Sequence, residues 1–256
     1  MENKKVFFKI IIPNFNNYIY IKKCLDSVLN QTFKDYVCIV VDDLSTDDSP
    51  KIAQIYAKRY PDRFRFITVK QKGHEGGARN AGIDYPIDCE YYMFIDSDDF
   101  LKDDKVLQLL FESTENKAND VVIYGLREMK NGKENDILPP EFNWDIKNIS
   151  FKYSSACTKI VRSSMIQKFL ENCDHAADTY WSMKIFNQHP RIKTIRKSLY
   201  MYRRNPTSVT FNGKYRSDTK LFYEKFEQLL EQITDDAVRK SMEYRISQYK
   251  TNKIDW

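Results

Sequence analysis

An α/β fold, with a mixed and mostly parallel sheet flanked by helices, is what three features of this sequence predict. Short apolar runs alternate with stretches of helical periodicity through the first half of the chain, the pattern of strands joined by crossover helices. Two of those runs end in acidic clusters: Cys38-Ile39-Val40-Val41 leads into Asp42-Asp43-Leu44-Ser45, and Tyr92-Met93-Phe94-Ile95 into Asp96-Ser97-Asp98-Asp99. A strand buried on both faces reads as such a run, and in open α/β sheets ligands bind just beyond the carboxyl ends of the strands. Finally, 256 residues at 42% hydrophobic content are ample for a core, as one large domain or one and a half.

The elements follow in order. Residues 6–12 form a first strand. Ile21, Leu25 and Val28 fall on one face of a helix, and residues 36–41 form strand two. Ser49-Pro50 opens the next helix, with proline at the first helical position and Ile52, Ile55 and Tyr56 on the buried face. Residues 64–69 are strand three, 76–83 a short helix, 91–95 strand four, 106–111 helical and 120–124 strand five. The second half is less regular. Gly132, Pro139 and Pro140 make 131–148 a loop, two helices are predicted over 163–170 and 178–187, and a strand over 192–203. Phe222, Phe226, Leu229, Leu230 and Ile233 form a helical stripe near the end, suited to core packing or an oligomer contact, and the oligomeric state stays open.

Composition excludes several classes. No apolar run approaches the 18–20 or so residues of a membrane-spanning helix. The first run carries Lys9 and stops at Pro13, too short for a secretory leader, so it reads as a strand. The five cysteines are odd in number, scattered and without metal-ligand spacing, which predicts reduced thiols and a cytoplasmic protein. A net charge of +5 suits polyanionic substrates without establishing a nucleic-acid binder.

Four motifs carry chemistry. Ile10-Ile11-Ile12-Pro13-Asn14-Phe15-Asn16 ends strand one; Pro13 should stop the ladder, and Phe15 would offer a flat surface. After strand two, Asp43 can accept the N3–H of uracil or thymine, while Asp47 and Asp48 suit helix capping. Gly73-His74-Glu75-Gly76-Gly77-Ala78-Arg79-Asn80 follows strand three, where small residues let backbone amides approach a phosphate and Arg79 can pair with it. In Asp96-Ser97-Asp98-Asp99, alternate residues of an extended segment face one way, so Asp96 and Asp98 can converge on one ligand. Such hard oxygen donors suit Mg²⁺ or Mn²⁺ bridging phosphate oxygens. Asp103 and Asp104 are read as capping residues of the next helix.

Taken in order and spacing, these motifs resemble the family 2 glycosyltransferases of GT-A fold over roughly residues 6–210. The resemblance implies a Rossmann-like GT-A domain with a nucleotide-sugar-binding half (1–125), an acceptor-binding half (126–212) and a helical C-terminal extension (213–256). It implies that Pro13, Phe15, Asn16, Asp43, Arg79, Asp96 and Ser97 contact the donor and that Asp98 binds Mn²⁺ or Mg²⁺. Asp178 in Ala177-Asp178-Thr179-Tyr180-Trp181 takes the general-base position, where the family usually has Glu-Asp and this chain has Ala177. Tyr180 and Trp181 would line the acceptor side. Tyr200-Met201-Tyr202-Arg203-Arg204-Asn205-Pro206-Thr207-Ser208-Val209-Thr210 looks like the family's closing segment, with Arg203 and Arg204 meeting the diphosphate. The implied reaction is an inverting transfer from a UDP- or dTDP-sugar to an acceptor hydroxyl. The acceptor would be a bacterial surface glycan or lipid-linked oligosaccharide, or alternatively a hydroxymethylated base of phage DNA. A non-catalytic nucleotide-sugar-binding protein is the alternative of another class.

Overall fold

The computed structural model describes residues 5–144, 153–172, 177–205 and 219–250. Among the described residues nine strands form one sheet: β1 (Val6–Asn14), β2 (Tyr36–Asp42), β3 (Phe64–Thr68), β4 (Cys89–Phe94), β5 (Phe100–Leu101), β6 (Val121–Lys130), β7 (Lys133–Ile137), β8 (Lys159–Arg162) and β9 (Ile192–Arg203). Their order is β3-β2-β1-β4-β8-β6-β9-β5, with β7 hydrogen-bonded to β6. The β3-β2-β1-β4 block is parallel throughout. β8 runs antiparallel between β4 and β6, and β6 pairs parallel with β9. The sheet is therefore mixed and mostly parallel in its first half, and both halves of the chain contribute to it.

The helices are α1 (Tyr18–Leu29), α2 (Ser49–Arg59), α3 (His74–Asp84), α4 (Val106–Ser113), α5 (Ala177–Phe186), α6 (Thr219–Gln232) and α7 (Asp236–Lys250). Helix α1 packs on α2, α3 lies on β1 and β2, and α6 pairs with α7. Every residue of β2 and all but the first of β1 are buried, as continuous apolar strands covered on both faces must be. Lys9 sits within this core. Its ammonium reaches the carbonyls of Ile83 at 2.8 Å and Tyr85 at 2.5 Å, a cation on the C-terminal carbonyls of α3. Of the apolar stripe near the C-terminus, Phe226, Leu229 and Ile233 are buried; the side chain of Phe222 lies outside the described residues.

Several expectations are corrected. Pro13 does not stop the ladder: it pairs with Val41, and β1 continues to Asn14. Ile55 is exposed rather than buried. The predicted loop contains β7, because Asn131 and Gly132 both adopt positive φ and close a two-residue hairpin. β7 carries no apolar alternation; Arg127 on β6 ties it down through Glu134 and Asp136. Residues 163–170 hold a single 3₁₀ turn, Ser163–Met165, instead of a helix. The Asn80 side chain both donates to the Phe169 carbonyl (3.1 Å) and accepts from the Phe169 amide (2.8 Å), so it takes up the backbone groups a helix would have used.

Candidate active site

Strand order reverses at β1, with β2 and β3 laid down on one side and β4 on the other, so a crevice opens beyond the carboxyl ends of β1 and β4. Asn14 ends β1 fully buried. Its amide donates to Asp42 (3.0 Å), Ser49 (2.9 Å) and Ser45 (3.2 Å), locking the end of β2 to the start of α2. Asp43 follows with its amide on the Asn14 carbonyl. One Asp43 carboxylate oxygen accepts from the Gly73 amide at 3.0 Å. Burial pushes the Asp43 carboxyl above the usual range, and the Gly73 amide and Lys72 oppose that rise.

Arg79, on α3, is the hub of the site. Its side chain is 1% exposed, with Nη1 donating to Asp178 at 2.6 Å and Nη2 to Asp96 at 2.9 Å. Nη2 also pairs with Glu75, one turn earlier on α3. Burial disfavours the charge on Arg79, but Asp178, Glu75 and Asp96 more than offset it and hold the guanidinium protonated. Asp96 and Asp178, 82 positions apart in the chain, are thus joined through one guanidinium. The other oxygen of Asp178 accepts from the Ala156 amide at 2.8 Å. Glu75 keeps 47% of its side chain open, yet burial of its carboxyl pushes its proton affinity up, Arg79 opposes this, and Asp96 and Asp178 add to the rise.

Asp96 to Asp99 form a turn rather than an extended segment, with the Asp99 amide on the Asp96 carbonyl at 3.0 Å. The turn, not strand alternation, sets where the carboxylates point. Asp96 faces Arg79, and Asp98 lies 3.5 Å from the Asn205 amide nitrogen. Asp99 is fully engaged on the other side, accepting from the Tyr200 hydroxyl and the Arg203 amide at 2.7 Å each. The Tyr200 hydroxyl also accepts from the Asp96 amide at 3.1 Å. Burial, and then the charge of Asp96, push the Asp98 carboxyl up to about 6. Among the described residues no group of three or more His, Cys, Asp or Glu side chains is set to hold a metal ion. Asp98 fits instead a divalent cation that completes its shell with a ligand's own oxygens, since its negative charge is incompletely compensated and its donors are hard.

The remaining residues implied by the resemblance fall in different places. Phe15 is 39% exposed, with the Lys72 ammonium 3.6 Å from its ring centroid. Pro13 is buried in the sheet. Asn16 accepts from the amides of Thr46 and Asp47, and Ser97 accepts from Asn17 at 2.7 Å; both brace the loops around the crevice. Arg203 lies over Tyr20, 4.5 Å from the ring centroid, and near Phe100. Arg204 is paired instead with Glu128 on β6 at 2.6 Å. Arg79 is fully buried and faces three carboxylates through its two terminal nitrogens. Trp181 is corrected outright: it is fully buried, stacked on Phe169 at 4.7 Å and 9°, and lines core rather than acceptor. Tyr180 packs on Phe226 at 5.6 Å. Residues 173–176 and 206–210 lie outside the described residues. Sequence reasoning missed Asn14, Glu75, Asp99 and Tyr200. For Glu75 a signal existed, its i,i+4 spacing from Arg79.

The family model for glycosyl transferase family 2 matches residues 9–170. The glycosyltransferase EpsJ of Bacillus subtilis (strain 168) is 30% identical over 219 residues, covering 78% of this chain and 62% of EpsJ. A poly(ribitol-phosphate) beta-glucosyltransferase of Bacillus spizizenii is 28% identical over 75% of this chain and 31% of its own length. The chain therefore spans less than two thirds of these relatives. Staphylococcus aureus TarS 1-349, solved in complex with UDP-GlcNAc, superposes with a TM-score of 0.75 at 23% identity, over 91% of this chain and 69% of that one. That likeness shows the GT-A fold. With the family model spanning the crevice and its acidic turn, the chain is a glycosyltransferase domain and belongs to glycosyl transferase family 2.

Proposed function

We propose that the domain moves a sugar from a uridine or thymidine diphosphate sugar to an acceptor hydroxyl, with inversion at the anomeric carbon. One observation carries this reading: Arg79 holds Asp96, at the donor-side turn, and Asp178, on a separate element, in one ion-paired unit. Inversion needs a base across the sugar from the diphosphate, supplied by a different segment from the one that holds the phosphates. In this reading residues 1–125 bind the donor and 126–212 the acceptor.

Phe15 offers a face for the base. Asp43 has one oxygen on Gly73 and the other to accept the N3–H of uracil or thymine. Asp98 would hold Mn²⁺ or Mg²⁺, which supplies neutralisation of charge on the departing diphosphate. Arg203 stands beside this turn as the cation for the same charge. Asp178 keeps 29% of its side chain open. Its contacts with Arg79 and the Ala156 amide fix its orientation, and it takes the proton of the attacking hydroxyl as that hydroxyl bonds to the anomeric carbon. The acceptor class we favour is a bacterial surface glycan or lipid-linked oligosaccharide, in keeping with relatives named for teichoic acid work. The protein would act in the cytoplasm. Among the described residues no helix is long and apolar enough to cross a membrane.

A thermal-shift series tests the donor side. UDP with Mn²⁺ should raise the melting temperature of the parent more than UDP alone, and Asp98→Ala should lose that increment. UDP should outbind CDP roughly tenfold or more, since a cytosine ring would set an acceptor against the buried Asp43 carboxylate. Equal stabilisation of parent and Asp98→Ala by Mn²⁺ plus UDP, or equal affinity for CDP, would refute the respective assignment.

A further inference from the structure

A second cavity, of about 360 Å³, lies away from the crevice, between the start of α4, the end of β7 and the middle of β9. Four cations line it: Lys102, Lys105, Arg196 and Lys197. Its two acidic residues are already occupied. Asp136 accepts from Arg127 Nε at 2.7 Å and Nη2 at 3.0 Å and from Ser198 at 2.7 Å, and Asp103 accepts from the Lys105 amide at 3.0 Å. Among the described residues none of the four cations bonds a carboxylate directly, although the charge of Lys102 helps hold Asp136 ionised. Leu109, Leu138 and Leu199 give the cavity an apolar floor.

The cavity is produced by a bulge. Tyr124 on β6 pairs with Ile195, but the next residue, Gly125, pairs with Ser198, so Arg196 and Lys197 have no partner on β6. Consecutive strand residues ordinarily point to opposite faces; here both line one cavity, the re-aiming that bulges accomplish. Gly125 permits it, since a Cβ there would stand 2.8 Å from Leu138 and 3.0 Å from the Lys197 carbonyl. The cavity also has a direct line to the crevice. From Lys197, β9 runs roughly 20 Å at the usual strand rise to Arg203, passing Tyr200, whose hydroxyl bonds Asp99.

We infer that this cavity binds the phosphate groups of an extended polyol-phosphate acceptor, gripping the chain away from its reacting hydroxyl. Lys105, Arg196 and Lys197, none of them bonded to a carboxylate among the described residues, over an apolar floor suit a phosphodiester with a carbon backbone. A concave site suits a threaded chain better than a flat lipid surface. The acceptor role rests on the transferase reading above; phosphate binding by the cavity does not.

The test measures binding of a synthetic glycerol-phosphate oligomer, and separately of UDP, to the full chain at low and high salt. The variants are Arg196→Glu/Lys197→Glu and the charge-keeping Arg196→Lys/Lys197→Arg. We expect salt-sensitive oligomer binding by the parent, about tenfold or more weakening in the charge-reversed pair, retention in the charge-keeping pair, and unchanged UDP affinity throughout. No binding by the parent, or equal binding by the reversed pair, overturns the proposal. So does a reversed pair that binds the oligomer normally but no longer binds equimolar phosphatidylglycerol–phosphatidylcholine vesicles, which would mark a membrane surface. Oligomer binding lost in the reversed pair, with no sugar transferred by the parent from any nucleotide sugar, supports the cavity and sinks the transferase reading instead.

Discussion

Replacing Arg79 by methionine removes a cation shared by Asp96, Asp178 and Glu75. The guanidinium is buried, and its contacts at 2.6 and 2.9 Å reach carboxylates whose side chains are each 29% exposed. Deleting one partner of a buried ion pair costs about 3–5 kcal/mol, mostly by stranding the remaining charge. These carboxylates keep an edge toward water, so the lower end applies, about 3 kcal/mol. At roughly 2–4 °C per kcal/mol for a domain of this size, Arg79→Met should melt roughly 6–12 °C below the parent in calorimetry. Arg79→Lys, which keeps the charge but cannot span the carboxylates as a fork, should fall between. Turnover should drop more than stability suggests, by about 10²-fold or more, because donor-side carboxylate and base lose orientation together. Assays of the three proteins, well below their melting temperatures, separate the two effects. If Arg79→Met melts within about 2 °C of the parent and keeps its turnover, the guanidinium does not organise the site.

Three further outcomes follow from the same geometry. Asp178→Asn should lower kcat by about 10²–10⁴-fold with the UDP dissociation constant nearly unchanged, because a general base acts only in the transition state; full activity with the true acceptor would mean that another group, Glu75 foremost, takes the proton. Trp181→Ala should cost about 3–5 kcal/mol of stability by emptying a core position, while the folded protein's acceptor KM stays within about twofold, and a selective rise in KM with normal stability would return Trp181 to the acceptor side. Lys159, fully buried on Ser155 and Ser182, has its ammonium pushed down to about 7 by burial, well below its unfolded value. The unfolded chain then binds more protons between about pH 7 and 10. Parent stability should therefore rise with pH across that window by up to about 1.4 kcal/mol per pH unit relative to Lys159→Met; parallel stability curves for the two proteins would show that the lysine does not titrate there.

Much of the sheet was legible because a strand buried on both faces must be largely apolar, and β1, β2 and β4 are, apart from Lys9 and Asn14 in β1, Asp42 in β2 and Glu90 in β4. The strand ends were legible for the same reason: Asp43 and Asp98 stand where such runs break. β7 was not, since all of its residues are exposed and its stability comes from a neighbouring strand. The 163–170 segment has helical periodicity, yet Asn80, some 90 positions earlier, claims its backbone. Trp181 reads alike on a helix beside Asp178 whether it lines a site or fills a core, and only packing against Phe169 separates the two.

By itself the sequence determined the parallel half of the fold and the chemical inventory of its crevice, because burial on both faces and carboxylates at strand ends leave local marks. It determined neither what those carboxylates touch nor where the cations go. Arg79 reads as a phosphate ligand beside its glycines, and its pairing with Asp96 and Asp178 shows only once α3 carries it between them. Asp99 carries no role in the sequence, and only the fold shows it accepting from Tyr200 and the Arg203 amide. Arg196 and Lys197 read as alternating strand residues until a bulge turns both into one cavity. In each case the deciding partner lies far away in the chain, and pairing over such separations is set by packing and register, which no local pattern records.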